Sequence, residues 1–184
     1  MEISVQEHKM HPIIYDVAVS LDGFISGESG DISKFAHEGP AVEDYAKRLA
    51  YYKTAIMGRK TYEFGYDFGL KPGQNPYPHM ETIVFSNTLQ VPDGSEISVR
   101  KRPASEDIRE IARNSAGSVY LCGGGDFSGW MLDQGLIDRV VLKRAPCLFG
   151  TGTGLFGKMS HSLNMSRINT KTYENGYILE EFET

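Results

Sequence analysis

The sequence of 184 residues has little cysteine, no long hydrophobic run and no excess of positive charge. Its two cysteines, Cys122 and Cys147, are too few for a disulfide framework and favour a reducing cytoplasm. No apolar stretch approaches the ~20 residues that a membrane-spanning helix needs. With 19 Lys and Arg against 24 Asp and Glu, the net charge is −5. We therefore expect a small-molecule ligand, with no nucleic-acid or membrane partner.

Metal ligands and an activated nucleophile are also missing from the sequence. The five histidines have no paired ligand spacing, and neither cysteine has a second cysteine close by. No Gly-x-Ser-x-Gly motif supports a serine hydrolase. The sequence predicts no metal site.

The length suits one domain and is short for two. Residues 1–11 are polar and mixed in charge, which predicts a disordered or expression-derived lead before a domain at 12–184. Within the domain, β-rich runs alternate with helical patterns. The predicted strands cover residues 13–19, 54–57, 82–85, 96–100, 118–122 and 138–145. The predicted helices lie near 40–51, 59–64 and 126–134, and another begins at about residue 105.

This alternation predicts an α/β fold with a mainly parallel sheet flanked by helices. Ser105 is predicted to cap its helix. Residues 65–78 and 150–154 are predicted as loops. The tail from about residue 162 contains two extended runs around Asn175-Gly176, which predict a C-terminal antiparallel hairpin with a type I′ turn.

A glycine turn, Gly123-Gly124-Gly125, separates a predicted strand from a predicted helix. Glycines let a backbone approach a phosphate, and the helix start supplies free N–H groups. Ser128 stands where the dinucleotide fingerprint has its third glycine. A phosphate cradle and a turn without a ligand both fit this pattern.

A second glycine segment, residues 152–159, nearly matches the phosphate loop of nucleotide triphosphatases. Met159 lacks the hydroxyl that would bind Mg²⁺, and the residues after it do not form a helical pattern. We interpret this segment as a loop between strands.

Two clusters of cations follow predicted strands. Arg59 and Lys60 come directly after Gly58, and Arg102 ends a basic run near the strand-end Ser86. Such groups can hold a terminal phosphate through charge-assisted hydrogen bonds. A solvated basic helix start is the alternative for the first cluster.

Four motifs taken in order resemble the dihydrofolate reductase superfamily, and most closely the reductase domain of the riboflavin-biosynthesis deaminase/reductase. The motifs are Ala18-Val19-Ser20-Leu21-Asp22-Gly23-Phe24-Ile25, Ile56-Met57-Gly58-Arg59-Lys60-Thr61-Tyr62, Ile83-Val84-Phe85-Ser86 and Leu121-Cys122-Gly123-Gly124-Gly125. The segment 132–152 extends the match, so the resemblance covers about residues 12–183.

The resemblance implies a single α/β domain, NADPH as hydride donor and a homodimer. Backbone groups of Ala18 and Ile25 would meet the nicotinamide amide, the cations would hold the adenosine 2′-phosphate, and the glycine turn would hold the pyrophosphate. The implied cofactor-binding residues are Ala18, Ile25, Gly58, Arg59, Lys60, Thr61, Ser86, Arg102, Gly123, Gly124, Gly125, Asp126 and Phe127.

Two departures from the superfamily concern the substrate. Val42 stands where dihydrofolate reductases carry a pterin-anchoring carboxylate, which argues against folate. Asp16 replaces a lysine that suits a phosphorylated ribityl or ribosyl substrate. Asp16 is either a catalytic residue that hydrogen-bonds the substrate or supplies a proton, or a structural Asp bonded to a backbone N–H.

Four further residues are candidates for the substrate site. Asp22 and Phe24, in the loop after the first strand, would help to close it. Tyr120 and Cys122 would line it, although both residue types are often plain core.

The sequence and the resemblance together predict an NADPH-dependent reductase that transfers hydride to a small heterocycle. The specific activity that they favour is reduction of 5-amino-6-(5-phosphoribosylamino)uracil in riboflavin biosynthesis. A stand-alone reductase with a pterin or carbonyl substrate and a nucleotide-binding module without turnover remain as alternatives.

Overall fold

A computed structural model describes residues 10–184. Most of the lead predicted at 1–11 therefore lies outside the described residues. The strands are β1 (Ile13–Val19), β2 (Phe24–Ser26), β3 (Thr54–Gly58), β4 (Glu81–Phe85), β5 (Ser98–Arg100), β6 (Val119–Gly123), β7 (Arg139–Arg144), β8 (Thr153–Gly154), β9 (Ser166–Thr172) and β10 (Ile178–Glu183). The α-helices are α1 (Pro40–Leu49), α2 (Arg59–Phe64), α3 (Ser105–Asn114) and α4 (Gly125–Asp133), and short 3₁₀ turns cover Glu28–Gly30 and Gly65–Phe68.

Eight strands form one twisted sheet in the order β5-β4-β3-β6-β1-β7-β10-β9. The strands from β5 to β7 run parallel, and β10 pairs antiparallel with both β7 and β9. The predicted α/β class, the mainly parallel sheet and the C-terminal antiparallel hairpin are confirmed.

The core lies on both faces of this sheet because the central strands are apolar on both sides. Helices α3 and α4 cover one face, where Ile108 and Met131 are fully buried. Helices α1 and α2 cover the other face, where Ala41 and Tyr62 are buried, and Tyr177, just before β10, is buried in the same part of the core as Ala41. Side chains of β1 alternate between the faces, so Asp16 and Ala18 lie on the α1 side of the sheet.

Three local predictions need correction. Helix α3 begins at Ser105 itself, and Ala104 is its N-cap, with the Ala104 N–H bonded to the Asp107 carboxylate at 2.7 Å. The hairpin turn is not type I′: Gly176 has φ +83° and Asn175 does not have a positive φ. The Gly176 N–H instead closes a turn by donating to the Tyr173 carbonyl. A left-handed glycine at the end of such a turn restores the strand pairing.

A small second sheet is the third correction. Strand β2 pairs antiparallel with β8. Strand β8 lies inside the segment 150–154, which was predicted as a loop. With three and two residues, these strands are too short for a periodic sequence pattern. Their pairing holds the 152–157 segment over the carboxyl edge of the main sheet. With at most ten residues, no helix among residues 10–184 combines the length and apolar character that crossing a bilayer requires.

Candidate functional site

The carboxyl ends of β3, β4, β5 and β6 lie at the same edge of the sheet because these strands are parallel. A cleft of about 1270 Å³ opens at this edge. Small-molecule sites commonly have about 300–1,000 Å³, so the cleft has room for an extended ligand. In open α/β sheets the crevice beyond the strand carboxyl ends is the usual ligand site.

Most of the predicted cofactor residues line this cleft, although they come from five separate parts of the chain. The predicted residues that line it are Ile25, Gly58, Arg59, Lys60, Thr61, Ser86, Arg102, Gly124, Gly125, Asp126 and Phe127, together with the predicted substrate residue Cys122. The two cationic clusters, which the sequence could not place relative to one another, therefore face a common cavity.

Polar contacts fix one cation and two stretches of backbone at this edge. Arg59 forms an exposed ion pair with Glu63 at 3.3 Å. The Ser86 hydroxyl oxygen accepts the N–H groups of residues 88 and 89, which leaves its own hydrogen free to donate. The Arg102 N–H donates to the side chain of Asn87 at 3.2 Å. The result is a polar, positively charged wall suited to a phosphate.

The glycine turn is held in place by contacts with Thr61 of α2 and with residues near β8. Thr61 donates to the Gly123 carbonyl at 3.2 Å, and a Cβ on Gly124 would lie 2.9 Å from the Thr61 hydroxyl. A Cβ on Gly125 would lie 2.2 Å from the Gly154 carbonyl oxygen, and one on Gly129 only 1.9 Å from that of Phe156. Helix α4 therefore needs its glycines for close packing against β8 and the segment that follows it.

Gly58 differs from these glycines because a Cβ there would meet no atom within 4 Å. Its φ of −83° suits any residue. Gly58 therefore leaves open space in the cleft wall directly before Arg59.

A smaller pocket of about 320 Å³ adjoins the cleft on the α1 side of the sheet. Val17, Thr61, Phe64 and Cys122 line both cavities. The predicted residues Asp16, Ala18, Tyr120 and Cys122 all line the smaller pocket, so Ala18 lies beside it and not in the main cleft. Gly123 lines neither cavity.

Aromatic hydroxyl groups dominate the smaller pocket. Tyr120 stacks on Tyr52 with ring centroids 5.2 Å apart and bonds to the Tyr45 hydroxyl at 2.7 Å. The Tyr77 hydroxyl lies 3.1 Å from the Cys122 sulfur. Burial raises the pKa of Tyr45, Tyr77, Tyr120 and the Cys122 thiol. These groups are therefore neutral hydrogen-bond donors near neutral pH.

Asp16 is 1% exposed and takes part in a buried ion pair. Its carboxylate accepts Arg48 Nε at 2.7 Å and Arg48 Nη2 at 3.0 Å, and it also accepts the Tyr52 hydroxyl at 3.0 Å. The expected backbone N–H partner is replaced by these side chains. Three donors occupy the two carboxylate oxygens, so this geometry favours the structural alternative.

Asp22 and Phe24 line neither cavity. The Asp22 carboxylate accepts the Ser20 hydroxyl and the N–H groups of Phe149 and Gly150, the last at 2.7 Å. The Ser20 hydroxyl holds the pKa of Asp22 below its ordinary value, with help from these backbone bonds. Asp22 therefore ties two loops together, and Phe24 pairs with Gly154 in the small sheet.

Several residues of the smaller pocket, among them Tyr45, Tyr77 and Lys143, were not predicted from the sequence. Tyr45, on α1, covers the pocket, and Lys143, on β7, lies beside Ala18 in the strand register. Lys143 is only 8% exposed, and burial lowers its pKa, which the nearby Asp16 carboxylate partly opposes. A lysine inside a predicted apolar strand was the available signal for this residue. Across residues 10–184, no three His, Cys, Asp or Glu side chains come together as a metal-ligand set.

The mixed sheet, its helices and the cleft at its carboxyl edge define the class of this protein as a dihydrofolate reductase-like α/β domain. The fold matches dihydrofolate reductase from Enterococcus faecalis complexed with NADP(H), at 17% identity and a TM-score of 0.68 over 94% of this chain and 95% of that one. The RibD C-terminal domain family model matches residues 11–179. The chain belongs to this family.

Two further relatives cover nearly the whole chain. A protein of Shewanella sp. PV-4, provisionally named a riboflavin biosynthesis protein, is 25% identical with a TM-score of 0.78, over 95% of this chain and 98% of that one. The uncharacterized protein YyaP of Bacillus subtilis (strain 168) is 26% identical over 180 residues, or 92% of this chain and 93% of that protein.

Proposed function

We propose that the protein is an NADPH-dependent reductase that transfers hydride to a small heterocyclic substrate. The observation that carries this proposal is the cleft at the carboxyl edge of the sheet, in which the cationic wall and the glycine turn face one cavity. Membership of the RibD C-terminal domain family and the fold shared with an NADP(H)-complexed dihydrofolate reductase support it.

The residues of the cleft fit NADPH in their chemistry. Arg59, Lys60 and Arg102 would bind the adenosine 2′-phosphate, and Ser86 would donate to the same group. Backbone N–H groups at Gly124 and Gly125 would hold the pyrophosphate at the start of α4. The open space beside Gly58 lets the cofactor pass close to β3. NADPH supplies a hydride when it is bound.

The protein would contribute to the reaction mainly by positioning. The smaller pocket adjoins the cleft, so a ring bound among its tyrosines would lie beside the cofactor. Tyr45 and Tyr120 are bonded to one another, so one hydroxyl of this pair keeps a hydrogen to donate to a ring oxygen or nitrogen, and the Tyr77 hydroxyl can serve as a second polar contact. Tyr45 covers the pocket and would exclude water.

The specific substrate that we propose is 5-amino-6-(5-phosphoribosylamino)uracil, on the basis of the family. Panels of pyrimidine, pterin and quinone substrates test it by NADPH oxidation at 340 nm. Oxidation with another panel member alone would favour a stand-alone reductase. Tight NADPH binding without any oxidation would favour a nucleotide-binding module.

The cofactor assignment is tested by titrating NADPH and NADH and following intrinsic fluorescence. A charge-assisted hydrogen bond contributes about 1.5–3 kcal/mol, so Arg59→Ala or Lys60→Ala should weaken NADPH binding roughly 10- to 100-fold and leave NADH binding nearly unchanged. Lys101→Ala is the matched control, because Lys101 adjoins Arg102 in sequence but does not line the cleft. Equal affinity of the wild type for the two cofactors would overturn the assignment.

The homodimer and the cytoplasmic location stay predictions from the resemblance and from cysteine content. Light scattering tests the first, since a dimer would have twice the chain mass of 20.5 kDa. Cell fractionation tests the second.

A further inference from the structure

Lys143 is a buried lysine of the smaller pocket that forms no ion pair with a carboxylate among residues 10–184. Its side chain is 8% exposed and lines the pocket from β7. Among residues 10–184, no carboxylate oxygen lies within 4.0 Å of its Nζ, and the Nζ ammonium donates no hydrogen bond. A buried charge without a partner is costly unless a ligand or another group compensates it.

The charged groups nearest to Lys143 supply that compensation only in part, since the Asp16 carboxylate attracts the ammonium without bonding to it. The Asp16 carboxylate, also in the pocket wall, forms its bonds with Arg48 and Tyr52. The Asp16 and Arg48 charges cancel one another. The remaining contact is the Tyr45 ring, whose centroid lies 4.8 Å from Lys143 Nζ. A ring face attracts a cation but accepts no strong hydrogen bond from it.

The other polar groups of this pocket carry no negative charge. Tyr45, Tyr77 and Tyr120 are protonated because burial raises the pKa of each. The pocket therefore holds one positive charge that the protein compensates only in part, among neutral hydroxyl groups. This arrangement complements a ligand that brings a negative charge and several hydrogen-bond acceptors.

We propose that Lys143 binds an oxyanion of the substrate, either a carboxylate on the ring or the phosphate of a pendant sugar. The proposal rests on the proposed function, since it assigns the smaller pocket to the substrate. Lys143 thereby determines specificity: a substrate with an anionic oxygen is accepted, and its neutral counterpart binds weakly. The adjoining cleft keeps its own cations for the cofactor.

The test uses two pairs of probes that differ in charge, orotate against uracil and ribose 5-phosphate against ribose. Affinities are measured by isothermal titration calorimetry with and without NADPH. We expect the wild type to bind one charged member at least tenfold more tightly than its neutral counterpart. The pair that shows this preference identifies the carboxylate or the phosphate as the group recognised.

Lys143→Met removes the ammonium and keeps an apolar stem, so it should abolish this preference and leave NADPH affinity unchanged. Lys143→Arg should retain it. Lys34→Met is the matched control, because Lys34 is exposed and lines neither cavity. If the Met variant does not fold, Lys143→Gln replaces it.

Two results would overturn the inference. One is a wild type without a charged preference, including a wild type that binds none of the probes. The other is a preference that persists in the folded Met or Gln variant. A charged preference in a protein that binds no NADPH would contradict the proposed function and leave Lys143 as an anion site.

Discussion

At the scale of single residues, Asp16 shows which part of a site a sequence can reveal. An acid inside an apolar strand is visible in the sequence, and its burial follows from the strand pattern. Its partners are not visible, because Arg48 and Tyr52 lie 32 and 36 positions away and reach it only after α1 packs on the sheet. Lys143 was missed for the same reason, since its setting depends on β7 lying beside β1.

Replacing Asp16 with Asn should therefore act first on stability. The change leaves Arg48, whose side chain is 22% exposed, without its counter-ion. Breaking a buried pair costs about 3–5 kcal/mol, and the partial exposure of Arg48 places the expected loss near the lower limit. Urea denaturation measures it. Asp93→Asn, at an exposed site, is the control.

The same variant tests the catalytic alternative for Asp16. Unchanged stability together with an altered pH profile of turnover would contradict the structural role. Unchanged turnover and pH profile would exclude the catalytic role.

At the scale of elements, the parallel strands and the four α-helices were predictable because each carries its own periodicity or run of apolar residues. The glycines of α4 show the limit of this approach. The glycine turn before α4 left a phosphate cradle and a turn without a ligand equally open, whereas the structure shows that Gly129 is required by the carbonyl of Phe156, in a segment that lies far along the chain. Close packing between distant elements leaves no local pattern in the sequence.

Helix α1 is fastened to the C-terminal hairpin by Asp44, which bonds to Lys171 and to the Tyr173 hydroxyl. The Lys171 ammonium, with Tyr173, lowers the pKa of Asp44 from 3.8 to about 2. A carboxyl whose pKa is lower in the folded state stabilises the protein above its unfolded pKa, and this contribution is lost as the pH falls through the folded value.

Asp44→Asn should therefore destabilise the protein at neutral pH, and its difference from the wild type should shrink between about pH 4 and pH 2. Denaturant unfolding at a series of pH values measures both. Glu43→Gln, one position earlier on α1 and without an ion pair among the described residues, is the matched control. A difference between wild type and Asp44→Asn that stays constant down to pH 2 would contradict the assignment.

At the scale of the whole molecule, the topology assembles the cleft. Parallel strands send residues 58–61, 86–88, 102–103 and 124–127 to one edge, and the small β2–β8 sheet adds residues 152–154. The resemblance named most of these residues, and the glycine turn and the two cationic clusters could also be recognised because they follow predicted strands. It could not describe the smaller pocket, which depends on α1 covering the opposite face.

A ligand that contacts so many separate segments should stabilise the entire domain. Binding to the folded state alone contributes about 2.7 kcal/mol when the ligand is at 100 times its Kd. For a domain of this size that corresponds to a rise in Tm of roughly 5–10 °C. We expect this rise with NADPH in thermal unfolding followed by circular dichroism.

NADH at the same concentration should give a much smaller rise, because it lacks the 2′-phosphate that the cationic wall would hold. The Lys101→Ala variant should respond like the wild type, and the Arg59→Ala/Lys60→Ala variant should respond to both cofactors as the wild type responds to NADH. Equal shifts of the wild type with NADPH and NADH would show that the cations do not read the 2′-phosphate.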